Sequence, residues 1–129
     1  MNKFRAINTR RKDAQENDYY ATDPRAIDLL LEHETFTRTV WEPACGGLHL
    51  SKRLESYGYN VINTDLIKRA PGVKQIDFLE YQPEEKNRLD IITNPPYKYA
   101  RDFIEHALEI SGGRKNSDVF KTYLFRRKK

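Results

Sequence analysis

The sequence predicts an α/β domain built on a mostly parallel sheet. Three observations carry that prediction. Short β-branched or apolar runs recur within 37–47, 59–66, 73–81 and 88–97. Amphipathic stretches at 18–34, 48–58 and 99–110 are placed among them. Proline or glycine marks most of the junctions, as at Pro43, Gly46-Gly47, Gly58, Pro71-Gly72 and Pro95-Pro96. Strands alternating with helices favour parallel pairing through crossover connections. At 129 residues the chain is long enough for one domain and one core.

Residues 1–17 are polar, have no sustained period and are expected to form a flexible basic arm; the domain is expected over 18–129. The stretch "DYYATDPRAIDLLLEHE" (18–34) reads as a helix. Asp23 can cap it, Pro24 suits the first helical position, and Ile27, Leu30 and Leu31 share a face. "TRTVWEPACGG" (37–47) is a short strand entering a turn, with Trp41 expected in the core. "LHLSKRLESYG" (48–58) is an amphipathic helix stopped by Gly58. "YNVINTDL" (59–66) and "VKQIDFLEY" (73–81) read as the second and third strands, and "RLDIITNPPY" (88–97) contains the fourth. "YARDFIEHALEI" (99–110) is a helix with Ala100, Phe103, Ile104, Ala107 and Leu108 as its stripe. "DVFKTYLF" (118–125) supplies a fifth strand, inside an atypical basic tail at 112–129.

Composition narrows the function classes. A third of the residues are charged and the mean hydropathy is −0.84. No stretch approaches the roughly 18 apolar residues of a membrane span. No apolar segment follows the basic start, so a secretory signal is not expected. A single cysteine cannot build a disulfide framework and suits a reducing, cytoplasmic setting. Charge is segregated: residues 1–12 carry +5, residues 114–129 carry +6, and the middle carries −7. Basic ends on an acidic body are either solvated tails or grips for nucleic-acid phosphates. His33, His49 and His106 lack a metal-ligand spacing and read as surface or helix-face residues. No metal and no membrane partner is expected.

Polar groups converge where strands end. In an open parallel sheet, ligands bind beyond the carboxyl ends of the strands. "EPACGG" (42–47) puts the carboxylate of Glu42 at a strand tip, and Gly46 lets backbone approach a ligand. A glycine pair alone is an ordinary turn. About twenty residues on, Asp65 ends the second strand, where a carboxylate can accept ribose hydroxyls. Asp77 can accept from an adenine amine and Phe78 can cover its face; alone, the pair is a turn start and a core residue. Finally, "IITNPPY" ends a strand on Asn94, Pro95, Pro96 and Tyr97. Proline excludes the preceding residue from the α region, which lets carbonyls point outward. An amide oxygen and a carbonyl can bind both hydrogens of an amine, with a tyrosine ring stacked on the ring that bears it.

In this order and spacing, "EPACGGLHL", "NTDL", "DFL" and "NPPY" resemble the S-adenosylmethionine-dependent methyltransferases. With "YYATDP" ahead of the first strand, the resemblance is to DNA adenine N6-methyltransferases of phage and prophage type, over roughly residues 18–111. The resemblance implies a Rossmann-like fold of seven strands, of which this chain holds four to five, so a C-terminally truncated domain is expected. It implies S-adenosylmethionine as cofactor and duplex DNA as partner, with the target adenine flipped out. Tyr20, Ala21, Thr22 and Pro24 would line the methionine end. Glu42, Ala44, Cys45 and Gly46 would form the turn beneath it. Asp65 would bind the ribose, with Leu66 against the adenine, and Asp77 and Phe78 would hold that adenine. Asn94 and the Pro95 carbonyl would bind the target amine, and Tyr97 would stack on the target base. Two other readings stay open: a non-catalytic remnant that binds the cofactor or DNA, and an amino-group methyltransferase acting on RNA or a protein glutamine.

Overall fold

The computed structural model describes Arg10, residues 23–112 and residues 121–125. In chain order the elements are α1 (Arg25–His33), β1 (Thr39–Glu42), α2 (His49–Ser56), β2 (Asn60–Asp65), β3 (Lys74–Gln75), a 3-10 turn at Phe78–Glu80, β4 (Asp90–Thr93), a second 3-10 turn at Tyr97–Tyr99, α3 (Ala100–Ile110) and β5 (Thr122–Leu124). The strands form one sheet in the order β3-β2-β1-β4-β5, and each pairing is parallel. The expected mostly parallel α/β fold is therefore present, with five strands among the described residues. Strand order reverses at β1: β2 and β3 lie on one side, β4 and β5 on the other. That reversal makes the carboxyl ends of β1 and β4 a topological switch point, the usual location of ligands in an open parallel sheet.

Both faces of the sheet are covered. Side chains alternate along a strand, so Val40 and Ile92 face one way, Trp41 and Ile91 the other. On the first face Ile27 and Leu30 of α1 and Leu50 and Leu54 of α2 pack with Val40 and Ile92. On the second, Phe103, Ala107 and Ile110 of α3 join Phe78 over Trp41 and Ile91. Trp41 is buried, as expected, and its Nε1 donates to Thr64 Oγ1 at 3.0 Å. Helix α1 starts as its sequence predicts: Asp23 Oδ1 accepts the Arg25 N–H at 3.0 Å, while Pro24 already has helical dihedrals. Gly58, at φ 93°, ends the α2 segment in a conformation that suits glycine.

One buried carboxylate sets the entry side of the sheet. Asp90 accepts the Thr37 N–H and the Lys121 N–H, both at 2.7 Å. It thereby joins the approach to β1, the start of β4 and the start of β5. The short polar-flanked β5 is held in register by this contact and by its ladder with β4.

Three expectations need correction. The stretch 73–81 is not one strand: pairing stops at Gln75, because the Asp77 side chain accepts the Leu79 N–H and turns the chain into a 3-10 turn. The buried stripe of α3 is Phe103, His106, Ala107 and Ile110, and Ile104 is 43% exposed. The helix is rotated toward Phe78 relative to the expected stripe. His106 is consequently buried rather than a surface histidine. Its Nε2 lies 2.8 Å from the Tyr81 carbonyl oxygen, and that contact lets a polar ring sit in the core.

Candidate functional site

The turn leaving β1 is tied to the end of β2. Cys45 N–H donates to the Thr64 carbonyl at 3.1 Å, and Gly46 N–H donates to Asp65 Oδ2 at 2.8 Å. The other Asp65 oxygen accepts the Ile67 N–H at 3.2 Å. A carboxylate has about four acceptor positions, so Asp65 retains capacity for hydroxyl donors after these two bonds. Glu42 is buried at the tip of β1, and its Oε2 accepts the Ala44 N–H at 2.8 Å. The turn is thus built by two carboxylates that collect its backbone N–H groups. Gly46 adopts φ 53° and Leu48 adopts φ 73°, two left-handed residues within three positions. Leu48 carries a side chain in that region, a strained state of the kind that clusters at functional loops.

Cys45 is a free, buried thiol. Burial pushes its pKa up, and the charges of Glu42 and Asp65 add to the effect. Since the thiolate is the nucleophilic form, Cys45 is suited to packing and not to attack. Leu66 is half-buried, and its carbonyl accepts from Gln75 Nε2 at 2.9 Å, which braces the loop after β2 against β3.

The rim continues through β3. The Ile76 N–H donates to the Asp65 carbonyl at 2.9 Å, which brings Asp77 to the side of the site where β2 ends. Asp77 Oδ1 accepts from Leu79, and its Oδ2 is paired with Arg10 Nη2. Phe78 is 2% exposed, edge-on to Trp41 at 5.2 Å and tilted on Phe103 at 4.9 Å. Its ring is a core member here and presents almost no surface to a ligand.

Across the switch point, β4 ends in the Asn-Pro-Pro-Tyr turn. Asn94 and Pro95 are buried, Pro96 is half-buried, and Tyr97 is 48% exposed. The Pro96 carbonyl accepts the Tyr99 N–H at 2.9 Å, closing the second 3-10 turn. Of the two proline carbonyls, that turn uses Pro96 and not Pro95. The turn therefore sets a buried amide three residues before a half-exposed aromatic ring.

Of the residues singled out from sequence, Glu42, Ala44, Cys45, Gly46, Asp65, Leu66, Asp77 and Asn94 to Tyr97 lie at or just beyond the carboxyl ends of adjacent strands. Pro24 starts α1, and Tyr20, Ala21 and Thr22 lie outside the described residues. Arg10 was not singled out as a site residue; its position beside Asp77 depends on a contact 67 residues away in sequence, with no local signal. Among the described residues no group of three His, Cys, Asp or Glu side chains could hold a metal ion, and no helix is long and apolar enough to cross a membrane. A scan against protein-family models finds no match, and a search of curated proteins also finds none.

Proposed function

We propose that this chain is an S-adenosylmethionine-dependent methyltransferase of Rossmann-like fold whose acceptor is an exocyclic amine, with adenine N6 in DNA as the substrate. The observation that carries the proposal is the strand order. It sets the Glu42–Gly46 turn and Asp65 on one side of the switch point, and Asn94-Pro95-Pro96-Tyr97 on the other. A cofactor crevice and an amine-binding turn would then be immediate neighbours.

The donor set fits the cofactor. Asp65 has acceptor capacity for ribose hydroxyls, Gly46 offers backbone that a ligand can approach closely, and Asp77 is a carboxylate at the adenine end. S-adenosylmethionine supplies an electrophilic methyl group on a sulfonium. The residues of the chain do the rest by orientation. The Asn94 amide oxygen and the Pro95 carbonyl accept the two amine hydrogens, which localises the nitrogen lone pair. Tyr97 stacks on the base and offsets part of the cost of flipping it from a duplex, a few kcal/mol. No acid–base pair is needed for this role.

The test is calorimetric titration of the chain with S-adenosylmethionine, followed by transfer of a labelled methyl group to duplex DNA. Saturable binding with label on adenine N6 is the expected result. A folded chain that does not bind overturns the reading. Binding without transfer leaves a cofactor-binding remnant, and label on protein with unmodified DNA moves the acceptor to a glutamine amide.

A further inference from the structure

We propose that Arg10 is a positioning residue of the cofactor pocket, acting through Asp77; this rests on the methyltransferase reading. Arg10 comes from the basic N-terminal segment, expected from composition to be a solvated arm or a phosphate grip. Its charge is instead spent inside the protein. Its Nη2 contacts Asp77 Oδ2 and lies 3.4 Å from Glu80 Oε1. Only 12% of its side chain is exposed, against 13% for Asp77 and 26% for Glu80. Burial alone would lower the Arg10 pKa, yet the hydrogen bonds and charges of Asp77 and Glu80 outweigh it and hold the guanidinium charged.

Two features point to positioning rather than to stability. First, a part-buried ion pair recovers little net stability over apolar packing, because both partners are largely withdrawn from water. Second, the acid it holds is at the rim. Asp77 stands one residue past the Ile76 N–H that bonds the Asp65 carbonyl, so the ribose carboxylate and Asp77 are mechanically joined. Asp77 is held at both oxygens, by Leu79 N–H within its own turn and by Arg10 from outside. Without Arg10, the Asp77 carboxylate would keep only the Leu79 N–H bond to orient it. The carboxylate that receives the adenine amine would then have to be ordered by the ligand, at a cost in affinity.

The experiment is calorimetry of the wild-type chain, Arg10→Ala, Arg10→Lys, Asp77→Asn and the Arg10→Ala/Asp77→Asn pair. The ligands are S-adenosylmethionine and methylthioadenosine, which lacks the amino-acid end. Thermal melting without ligand checks folding. Arg10→Ala should weaken both ligands by the same factor, about tenfold for loss of one charge-assisted contact. Arg10→Lys, keeping the charge but carrying it on a more flexible ammonium in place of the planar Nη2 donor, should lose roughly threefold. In the Asp77→Asn background, removing Arg10 should cost less than about twofold, because its partner is already disabled.

If Arg10→Ala does not fold, the lysine variant decides: wild-type affinity there overturns the proposal. So does a folded Arg10→Ala that binds normally, a loss confined to S-adenosylmethionine, or a full tenfold loss persisting beside Asp77→Asn. A wild-type chain that binds neither ligand overturns the methyltransferase reading itself; binding with unaffected Arg10 variants overturns the role of Arg10 alone.

Discussion

Asp65 Oδ2 accepts the backbone N–H of Gly46 at 2.8 Å, so the carboxylate that ends β2 also shapes the turn that leaves β1. Its second oxygen accepts the Ile67 N–H at 3.2 Å. Asp65→Ala would orphan both donors, at about 1–3 kcal/mol for each that is left buried without a partner. Asp65→Asn keeps an acceptor for Gly46 while removing the charge and one acceptor oxygen. The alanine variant should therefore lose both stability and cofactor affinity. The asparagine variant should keep most of the stability and still bind S-adenosylmethionine about tenfold more weakly. Denaturant unfolding and calorimetry, run on the same two variants, separate the effects. Equal affinity in Asp65→Asn and wild type would remove the ribose role.

Asn94 directly follows β4, buried, and precedes Pro95. If its amide oxygen holds the acceptor amine, Asn94→Ala should cut methyl transfer by about 10²–10³, the usual effect of deleting one preorganised polar group at a reacting centre. S-adenosylmethionine binding should stay nearly intact if, as proposed, the cofactor is held beyond the ends of β1, β2 and β3. Labelled methyl transfer set beside calorimetry checks the split. Full activity in the variant would show that Asn94 does not hold the amine.

Tyr97 is 48% exposed at the same turn, so its ring can be changed with little consequence for folding. Base-on-aromatic stacking is worth about 1–3 kcal/mol. Tyr97→Ala should raise the KM for a duplex substrate roughly tenfold, and Tyr97→Phe should leave it close to wild type because the ring is kept. Equal KM values for the alanine and phenylalanine variants would assign the binding to something other than stacking.

What was legible in the sequence was local, and what was missed was long-range. Val40, Trp41, Ile91 and Ile92 announce two-sided burial by being apolar at consecutive positions, which fits a strand covered on both faces. Asp23-Pro24 announces a helix start because both residues act within two positions of themselves. The stretch 73–81 misled because β propensity favours Val73, Ile76 and Phe78 alike, while the break comes from the Asp77 side chain bonding its own turn. His106 misled because a histidine enters a core only when a partner is waiting, and the Tyr81 carbonyl is 25 residues away. Asp90 and Arg10 were silent for the same reason: each is defined by partners more than 30 residues distant. At the candidate site the strand-end turns could be placed from pattern alone, but not the backbone N–H groups that Asp65 and Asp77 hold.

The α1–α2 contact gives a pH-dependent prediction away from the site. Asp28 on α1 receives Arg53 Nε at 2.7 Å, Arg53 Nη2 at 2.5 Å and the Tyr57 hydroxyl at 2.7 Å. The Arg53 hydrogen bonds, then that of Tyr57, hold its carboxyl down at about 2, against an ordinary 3.8. A carboxyl with a lowered native pKa stabilises the fold above its unfolded pKa, and that stabilisation fades as pH falls through the native one. The contribution is thus complete above about pH 5, declines below pH 4 and is gone below pH 2. Solvent screening keeps it modest, since Arg53 and Asp28 are both open to water. Wild type should melt a few degrees above Asp28→Asn at neutral pH, and the two curves should converge as the pH is lowered from 4 toward 2. High salt should narrow the neutral-pH gap as well. A gap that keeps its size down to pH 2 would mean that Asp28 acts through shape and hydrogen bonding in either protonation state, not through its charge.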